Sequence, residues 1–574
     1  MAQGQKTPTP PAAACISAAD LRLSIAGKVL LDGASFAVPA SRKVALVGRN
    51  GSGKSTLLET LQAVADTGRP PEHVELRGSL TYAPGTVLAS LPQSPHLAFP
   101  ATARAYLDAR AGPVSAAWNR NQELTGILAE GRQDEALLRE FGEALEAMER
   151  LDAWSYPQRV AEVVAGLGLD DQVLDRPLVT LSGGQATRLA LAGVLLSPAN
   201  IILLDEPSNN LDLTSLWFLA GWIRASTAAM VLVSHDRKLI DATVHEVLEI
   251  EEHSCRLRLF GGNYSFYAQR KREEFESQLR RYAEQQERRT QLEAAARLTA
   301  TRAQRFQATS QNDFYRSKGA RVARVAKAQQ TRIGRELSRI AEPEPPARPR
   351  LVVAETPGRR GLLIRVTNVE FAFGHTTVLR DATITVRFGD RLALLGPNGS
   401  GKSTLLRLLA GDLAPLTGTI ERTSGLRTAY LPQEPALDDR KATLLDFGLR
   451  RFHGPAEQLR AILGKVLFAD PARVRTGDVS LGELRRIEFA ALFASAPDLA
   501  LLDEPTNHLD LLSIEMLESA VAEYRGALVV ASHDQSFLES VQPTSALQLG
   551  NREARVEVVS DWRPATLVTE ISAQ

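Results

Sequence analysis

The chain has 574 residues, and its 67 basic and 67 acidic side chains leave no formal net charge at pH 7. That length predicts two large domains, or three to four of ordinary size, because a single hydrophobic core does not extend so far. The apolar runs fall far short of the roughly 18 residues of a membrane span, and the only cysteines are Cys15 and Cys255. A transmembrane protein, a disulfide framework and a cysteine metal site are therefore disfavoured, and we expect a cytoplasmic protein.

The first elements along the chain predict a phosphate site. Residues 1–14 have no apolar core of signal-peptide length, so we expect a short disordered tail. The apolar "KVALVG" predicts a buried strand, and the pattern G-x-x-x-x-G-K-S follows it over 48–55, before a helical "TLL". In that context main-chain N–H groups and a helix N-terminus converge on phosphate oxygens, with the lysine on the terminal phosphates and the serine on Mg²⁺. The expected contacts are Gly48, Asn50, Gly51, Gly53, Lys54, Ser55 and Thr56.

A helical segment and a second anion site come next. Residues 97–155 include "DEALLREFGEALEAMERL", with apolar residues at i, i+3 and i+4. Residues 101–150 hold six basic and nine acidic residues, so this segment is not a basic patch. Ser182, Gly183, Gly184 and Gln185 then open a helical pattern, and such a helix N-terminus predicts another anion site.

Two further apolar strands end in polar residues. The first ends at Asp205 in "IILLDEP", where a carboxylate can hold Mg²⁺. Glu206 follows directly and is placed to polarise an attacking water. The second strand ends at His235 within "SHD". A strand-end histidine is more often structural, but a second copy of this motif favours a histidine that faces the terminal phosphate.

A basic linker occupies residues 264–350. Over 280–339 there are 15 Lys or Arg against five Asp or Glu. Turn residues are scarce except at 309–319, so we predict two long helices joined there, and then a Pro-rich connector at 341–350. A basic helix with aromatic rings at its tip suits RNA, although a solvated coiled coil that separates two domains is the alternative. The candidate RNA-binding residues are Phe314, Tyr315, Arg316, Lys318, Arg321, Arg324 and Lys327.

The chain contains two copies of one domain, which we call the first repeat (15–263) and the second repeat (351–574). The residue numbers of equivalent positions in the two repeats differ by 348 at Lys54 and Lys402 and by 340 at Gln93 and Gln433. From the second anion site onward they differ by 298. The first repeat is therefore longer by eight residues and then by 42 more, which places an insert at about 97–155. Because each repeat has a phosphate loop and a second anion site, we expect head-to-tail pairing with two nucleotides between them. The second repeat contributes Gly396, Asn398, Gly399, Gly401, Lys402, Ser403, Thr404, Ser480, Gly482, Glu483, Asp503, Glu504 and His533.

The motif set resembles that of the ATP-binding cassette family. The phosphate loop, "LPQ", "LSGGQ", "LLDEP" and "SHD" occur in order, and both copies together span about 450 residues. Two such domains, a charged helical linker and an insert at this place resemble the ABC-F subfamily. The resemblance implies an α/β fold: two tandem ATP-binding cassette (P-loop NTPase) domains joined by a long basic α-helical hairpin linker. It also implies hydrolysis of ATP with Mg²⁺, with Gln93 and Gln433 near nucleotide and metal.

The same resemblance implies a partner. The subfamily binds the ribosome E site in the ATP state, with its linker against 23S rRNA and P-site tRNA near the peptidyl-transferase centre. We therefore expect a monomer with intramolecular pairing of its domains and no membrane subunit. The insert and the 53 residues from Tyr264 to Ser317 favour ribosome protection that gives antibiotic resistance. The alternatives are a general translation factor for idle or stalled ribosomes, the ATPase subunit of a membrane transporter, a DNA-associated ATPase, and a regulatory ATPase without a nucleic-acid partner.

The two repeats depart from the family pattern in different ways. The family stacks adenine on an aromatic ring, which the resemblance assigns to Phe373, whereas Ile25 stands at the equivalent place in the first repeat. The second anion site is "LSGGQ" in the first repeat and "VSLGE" in the second. Head-to-tail pairing puts Ile25 and "VSLGE" in one composite site, so we expect weaker ATP binding at Lys54 than at Lys402. Shortly after "LLDEP" the first repeat has Asn210 where the second repeat has His508, and the sequence does not explain this difference.

Overall fold

The computed structural model describes residues 14–93, 102–131, 134–251, 254–308, 324–325, 327–328, 331–335, 350–355, 361–374, 376–435, 440–452, 454–467, 470–550 and 556–560. The chain divides into two compact units. One unit comprises Met1–Tyr264 together with Arg350–Gln574 and so contains both repeats, and the other is Ser265–Pro349.

The first repeat is built on a six-stranded sheet in the order β5-β6-β7-β3-β8-β9, parallel except at the β8–β9 edge. Three of its central strands are buried along their whole length. Helices cover both faces of such a sheet, so its strands read as continuous apolar runs and not as alternating ones. The strands are β3 (Lys43–Val47), β5 (Leu88–Leu91), β6 (Ile201–Asp205), β7 (Ala229–Val233), β8 (Glu246–Ile250) and β9 (Leu257–Gly261). The helices outside the insert region are α1 (Lys54–Thr67), α6 (Gly183–Leu196), α7 (Leu213–Ala225) and α8 (Arg237–Thr243).

The second repeat has the same architecture, with strand order β14-β15-β16-β12-β17-β18. Its strands are β12 (Arg391–Leu395), β14 (Thr428–Leu431), β15 (Leu499–Asp503), β16 (Ala527–Ala531), β17 (Ser545–Leu549) and β18 (Val556–Ser560). Its helices are α10 (Lys402–Ala410), α11 (Leu444–Leu449), α12 (Ala456–Leu467), α13 (Leu481–Ala494), α14 (Leu511–Glu523) and α15 (Gln535–Val541). One hydrophobic core lies on each side of the sheet, the first around α10 and the second around α12 and α13. The α/β fold with two tandem P-loop domains is therefore confirmed.

Each repeat also carries a three-stranded antiparallel sheet with a shared irregularity. The orders are β2-β1-β4 and β11-β10-β13. The strands are β1 (Ala14–Ile25), β2 (Lys28–Pro39), β4 (Val74–Tyr82), β10 (Leu362–Phe373), β11 (Thr376–Arg387) and β13 (Thr417–Arg422). The register of β1 against β4 shifts between Ala19 and Arg22, and Asp20 there has a φ of 50°. Gly78 faces that bulge with a φ of 96°, and a Cβ on it would overlap the carbonyl oxygen of Asp20.

The described part of the segment 97–155 contains three α-helices, of which two have no counterpart among the described residues of the second repeat. α2 (Ala103–Ala111) is capped by Thr102 just as α11 is capped by Thr443. α3 (Pro113–Ala129) and α4 (Glu135–Arg150) follow and pack on each other through a small core around Leu124, Leu137 and Ala144. α5 (Tyr156–Gly166) then returns to the part of the fold that α12 occupies in the second repeat. The additional structure of the first repeat is thus the α3–α4 pair.

The second unit contains α9 (Tyr264–Ala308), a helix of 45 residues. At about 1.5 Å per residue it is about 68 Å long. Residues 324–325, 327–328 and 331–335 are also helical, and Arg324 and Lys327 are exposed there. The other predicted RNA-binding residues (Phe314, Tyr315, Arg316, Lys318 and Arg321), the predicted turn at 309–319 and the 1–13 part of the predicted tail lie outside the described residues.

Across the part of the chain that the structure describes, no helix combines the length and the apolar character that a membrane crossing requires.

We expect Gly78→Ala to lower the free energy of unfolding by about 2–4 kcal/mol, because the new Cβ would overlap a main-chain oxygen that cannot move without breaking the bulge. Gly27→Ala is the matched control, since Gly27 has a φ of 81° but a Cβ there would meet no atom within 4 Å. The control should lose only about 1 kcal/mol from the left-handed backbone. Chemical denaturation of both variants measures the difference, and equal losses would contradict the role of the bulge.

Candidate functional site

A cavity of about 890 Å³ lies between the two repeats. The first repeat lines it with Asn50, Gly51, Gly53, Lys54, Ser55, Thr56, Gln93, Ser182, Gly184, Gln185, Asp205, Glu206 and His235. The second repeat contributes Asn398, Gly399, Gln433, Ser480, Gly482, Glu504 and His533 to the same walls. Residues separated by several hundred positions in the sequence therefore share one space.

The repeats are paired head to tail, as two equivalent hydrogen bonds show, one from the phosphate loop of each repeat to the opposite repeat. Nδ2 of Asn50 in the first phosphate loop donates to the carbonyl oxygen of His508 at 3.0 Å. Nδ2 of Asn398 in the second loop donates to the carbonyl oxygen of Asn210 at 2.9 Å. Asn210 and His508 both have a φ of 64°. The side chains at positions 210 and 508 can therefore differ, because at both positions the opposite phosphate loop is bound by a main-chain carbonyl oxygen.

The phosphate loops hold their lysines against the main chain. Gly53 precedes α1 with a φ of 98°, and a Cβ there would lie 3.0 Å from Cβ of Leu30. Nζ of Lys54 donates to the carbonyl oxygens of Gly48 at 2.7 Å and Arg49 at 3.0 Å. Burial lowers the pKa of Lys54. The ammonium group thus sits inside the loop, where a phosphate oxygen would be an immediate partner.

The strand-end carboxylate Glu206 is buried beside His235. Oε1 of Glu206 lies 3.2 Å from Nε2 of His235, and the main-chain N–H of His235 donates to Oε2 at 3.3 Å. Burial raises the pKa of Glu206 to about 8 and lowers the pKa of His235 to about 3. Glu206 also has a φ of 51°, a strained backbone of the kind found at catalytic positions. A carboxyl with a pKa near neutrality is suited to act as a general base.

The second repeat reproduces this pair with an added contact. Nε2 of His533 lies 3.3 Å from Oε1 of Glu504 and 3.2 Å from Nζ of Lys402. Burial raises the pKa of Glu504 to about 8 and lowers that of His533 to about 3. Glu504 has a φ of 42°. The lysine, the histidine and the glutamate of the second repeat therefore form one contiguous group.

The residues predicted to hold Mg²⁺ are close together and fit that ion. Oδ1 of Asp205 is buried and has no hydrogen-bond partner among the described residues, while the nearby hydroxyl of Ser55 favours the ionised form of the same carboxyl. In the second repeat the nearby Ser403 has the same effect on Asp503, and Oη of Tyr430 donates to Oδ2 of Asp503 at 3.3 Å. Burial raises the pKa of both aspartates. A free buried carboxylate oxygen beside a hydroxyl is the hard-oxygen ligand set that Mg²⁺ prefers.

The second anion sites begin helices with reciprocal caps. Ser182 Oγ accepts from the N–H of Gln185 at 3.3 Å, and Gln185 Oε1 accepts from the N–H of Ser182 at 3.1 Å. Ser480 and Glu483 form the same pair of bonds in α13. The carboxylate of Glu483 thus sits in the first turn where the first repeat has a neutral amide. Since a carboxylate repels a phosphate group, the site that contains Lys54 has the less favourable anion partner.

The structure leaves Phe373 outside the cavity wall. Its ring is 54% exposed and packs edge-on against Phe371, with ring centroids 5.0 Å apart. Ile25, its equivalent in the first repeat, lines the cavity together with Lys28 and Leu30. Stacking of adenine on Phe373 remains a prediction. Gly48, Gly183, Gly396, Gly401, Lys402, Ser403, Thr404, Glu483 and Asp503 also lie outside the wall, although Lys402 contacts the wall residue His533.

Sequence reasoning missed an ion pair between the repeats. Nη1 of Arg237 lies 3.0 Å from both carboxylate oxygens of Glu518, and both side chains are 17% exposed. The equivalent positions at an offset of 298 are Gln535 and Ala220, so the pair exists on one side only. A sequence signal was present, since Arg237 directly follows "SHD", but its partner is 281 residues away.

Comparison with known families identifies the fold and the chemistry. A family model described as "ABC transporter" matches residues 31–209 and 379–507. "Probable ATP-binding protein YheS" of Escherichia coli strain K12 is 33% identical over 526 residues, which cover 89% of this chain and 75% of that protein. The human "ATP-binding cassette sub-family F member 3" is 29% identical over 534 residues, which cover 90% of this chain and 69% of that protein.

Solved structures agree on the fold. The archaeal ribosome recycling factor aABCE1, in complex with a ribosomal stalk protein, superposes with a TM-score of 0.56 at 17% identity and covers 95% of this chain and 90% of that one. A structure described as "RNase-L Inhibitor" superposes with a TM-score of 0.57 at 17% identity and covers 96% of this chain and 92% of that one. These structures show the fold, and the family model with the two relatives shows that the chain belongs to the ATP-binding cassette family, in its ABC-F subfamily, and is an ATPase.

Proposed function

We propose that the two head-to-tail repeats bind two molecules of ATP, one at each phosphate loop, and hydrolyse them with Mg²⁺. Lys54 and Lys402 hold the terminal phosphates, since both are buried inside their loops. Glu206 and Glu504 accept the proton of the attacking water, which their raised pKa supports. His235 and His533 lie beside those carboxyls and orient them.

The serine of each phosphate loop and the aspartate that ends the neighbouring strand would hold Mg²⁺. Ser55 and Asp205 form one such set, and Ser403 and Asp503 form the other. Gln93 and Gln433 lie on the wall of the same cavity and complete the sets. When bound, the ion neutralises negative charge on the phosphates.

We further propose that the ATP-bound protein binds the ribosome at its E site. Its linker then contacts 23S rRNA and P-site tRNA and acts on the peptidyl-transferase region. The observation that carries this proposal is α9, a 45-residue helix with ten Lys or Arg against six Asp or Glu. Such a helix can neutralise phosphates over many nucleotides. Membership of the ABC-F subfamily supports the same partner, as do the descriptions of two proteins with the same fold, a "ribosome recycling factor" and "ribosome-bound" ABCE1.

Ribosome protection that confers antibiotic resistance is the role that we propose, with a general translation factor for idle or stalled ribosomes as the second candidate. The length of α9 and the additional α3–α4 pair support protection, because both provide surface beyond what ATP hydrolysis needs. We place the protein in the cytoplasm, where it acts as a monomer without a membrane subunit.

We expect Lys54→Ala to bind ATP more tightly than Lys402→Ala, because each variant retains only the other site. The retained Lys402 site has a neutral "LSGGQ" partner and the aromatic Phe373, whereas the Lys54 site has Glu483 and Ile25. Stacking of a base on an aromatic ring is worth about 1–3 kcal/mol, so the dissociation constants should differ by about fivefold to 150-fold. Isothermal calorimetry measures both, and equal affinities would show that the two sites are equivalent.

We expect the double variant Glu206→Gln, Glu504→Gln to pellet with ribosomes in ATP and not in ADP. Loss of the two proton acceptors should slow hydrolysis by about 10²–10⁴-fold and hold the repeats closed. Co-sedimentation with both nucleotides measures this, and Lys54→Ala, Lys402→Ala, which lacks both phosphate lysines, is the control that should stay in the supernatant. Absence of pelleting with ATP would rule out the ribosome as partner and leave membrane and DNA partners to test.

We expect reversal of four linker charges, at Arg316, Lys318, Arg321 and Arg324, to weaken ribosome binding by about tenfold or more. Each lost contact with an RNA phosphate removes a release of counterions, and this lowers both the affinity and its dependence on salt. Reversal of four exposed arginines of the first repeat, at Arg22, Arg42, Arg69 and Arg77, changes the net charge equally and is the control. Binding curves at several salt concentrations compare the two. Identical curves would remove the RNA-binding role of the linker.

A further inference from the structure

A buried arginine joins two functional loops of the second repeat. Arg485 lies in the first turns of α13 and is 1% exposed. Nη1 donates to the carbonyl oxygen of Pro432 at 2.6 Å, and Nη2 donates to that of Gln433 at 2.7 Å. Nη2 also lies 3.5 Å from the carbonyl oxygen of Asp503 at the end of β15. One guanidinium group therefore contacts both the end of β15, just before Glu504, and the segment at Pro432 and Gln433. We call that segment, and its equivalent at Pro92 and Gln93 in the first repeat, the glutamine loop.

Two more charged residues hold this arginine in place. Glu488, one turn later in α13 and also 1% exposed, accepts from Nη1 of Arg485 at 3.1 Å. Arg451 donates to the same carboxylate at 3.1 Å from Nε and to the carbonyl oxygen of Tyr430 at 2.8 Å. Tyr430 belongs to β14 and hydrogen-bonds Asp503. The network is closed on itself, and removal of one member would leave buried charge without a partner.

The network connects residues of two different ATP sites. Gln433 and Asp503 lie in the same repeat as the Lys402 phosphate loop, and Lys402 and Ser403 of that loop act electrostatically on Asp503, so both residues are assigned to the Lys402 site. The helix that carries Arg485 begins at Ser480, and Ser480 and Gly482 face the other phosphate loop, since a Cβ on Gly482 would lie 2.8 Å from Nδ2 of Asn50. About one helical turn therefore separates the wall of the Lys54 site from the side chain that holds the loops of the Lys402 site.

Among the residues of the first repeat that the structure describes, no equivalent connection is found. Thr187 stands in place of Arg485 and Ala190 in place of Glu488, at the offset of 298. Ser90 stands in place of Tyr430, at the offset of 340. Arg110 remains at the place of Arg451, but its Nε is buried without a hydrogen-bond partner among the described residues. The glutamine loop and the "LSGGQ" helix of the first repeat thus lack the buried charged bridge.

We propose that Arg485 is a positioning residue that couples the two ATP sites through the second repeat. It makes the glutamine loop of the Lys402 site and the "VSLGE" helix of the Lys54 site move as one body. Binding of ATP and Mg²⁺ at Lys402 draws in Gln433, and the guanidinium group transmits that movement to Ser480 and Gly482. ATP at the Lys402 site therefore activates hydrolysis at the Lys54 site. This coupling rests on the proposed hydrolysis of ATP in the cavity, but it needs no ribosome.

The test compares two variants in which only the Lys54 site hydrolyses ATP. Glu504→Gln retains ATP binding at the Lys402 site but slows hydrolysis there, whereas Lys402→Ala loses the phosphate lysine of that site. The ratio of their ATPase rates measures how strongly ATP at one site activates the other. Allosteric couplings typically amount to about 5–150-fold, so we expect a ratio of about tenfold in the otherwise unchanged chain.

Replacement of Arg485 and Glu488 by the residues of the first repeat should bring the ratio of the two ATPase rates close to one. Arg485→Thr with Glu488→Ala removes both members of the buried pair together, so no carboxylate is left uncompensated, and Arg451, which loses Glu488, keeps its bond to the carbonyl oxygen of Tyr430. In this background the ratio should fall to within about twofold of unity, while a structural defect alone would lower both rates and leave their ratio unchanged. A ratio that stays near its original value, or a ratio of one before the replacement, overturns the proposal.

A conservative variant and a surface control complete the design. Arg485→Lys keeps the positive charge beside Glu488, and so protects the fold, but one ammonium group cannot replace the fork that reaches Pro432 and Gln433 together. Its ratio should fall at least about threefold, and an unchanged ratio overturns the proposal even where the chain with both replacements does not fold. Arg460→Ala with Asp470→Ala removes an exposed ion pair of the same helical region and should leave the ratio unaltered.

Discussion

Each phosphate loop is completed by the opposite repeat through an amide–carbonyl hydrogen bond, and the rest of the site depends on that constraint. Asn50 and Asn398 reach main-chain oxygens at His508 and Asn210, which are held in the left-handed conformation. Because the acceptor is a carbonyl of the backbone, the two side chains at these positions were free to diverge. The pairing encloses the catalytic groups, and enclosure removes water from around them.

Removal of water explains the electrostatics of the two centres. Burial raises the pKa of Glu206 and Glu504 to about 8 and lowers that of the neighbouring histidines to about 3. A raised pKa makes the ionised carboxylate a stronger base than that of an exposed glutamate with an ordinary pKa. The positive φ of both glutamates adds backbone strain that the surrounding strands must support.

The repeats share one fold but have become unequal in their buried charges. Arg237 pairs with Glu518 on one side of the interface only, and Arg485 pairs with Glu488 in one repeat only. Buried ion pairs contribute little net stability compared with apolar packing, but they define geometry, because a displaced partner leaves a charge uncompensated. Because each pair is present on one side only, the residues around the two ATP sites are held by different contacts.

The sequence by itself determined the two repeats, their α/β fold, the phosphate loops and the family, because these features depend on local patterns: apolar strands, glycines before a helix, and recurring motifs at constant offsets. Only the tertiary structure decided which residues meet. The contact of Asn50 with His508, the bridge from Arg485 to Gln433, and the place of Phe373 outside the cavity wall each involve distant segments or side-chain directions. Local patterns carry no information on such contacts, since a partner hundreds of residues away is selected by the packing of the two repeats and not by any spacing along the chain.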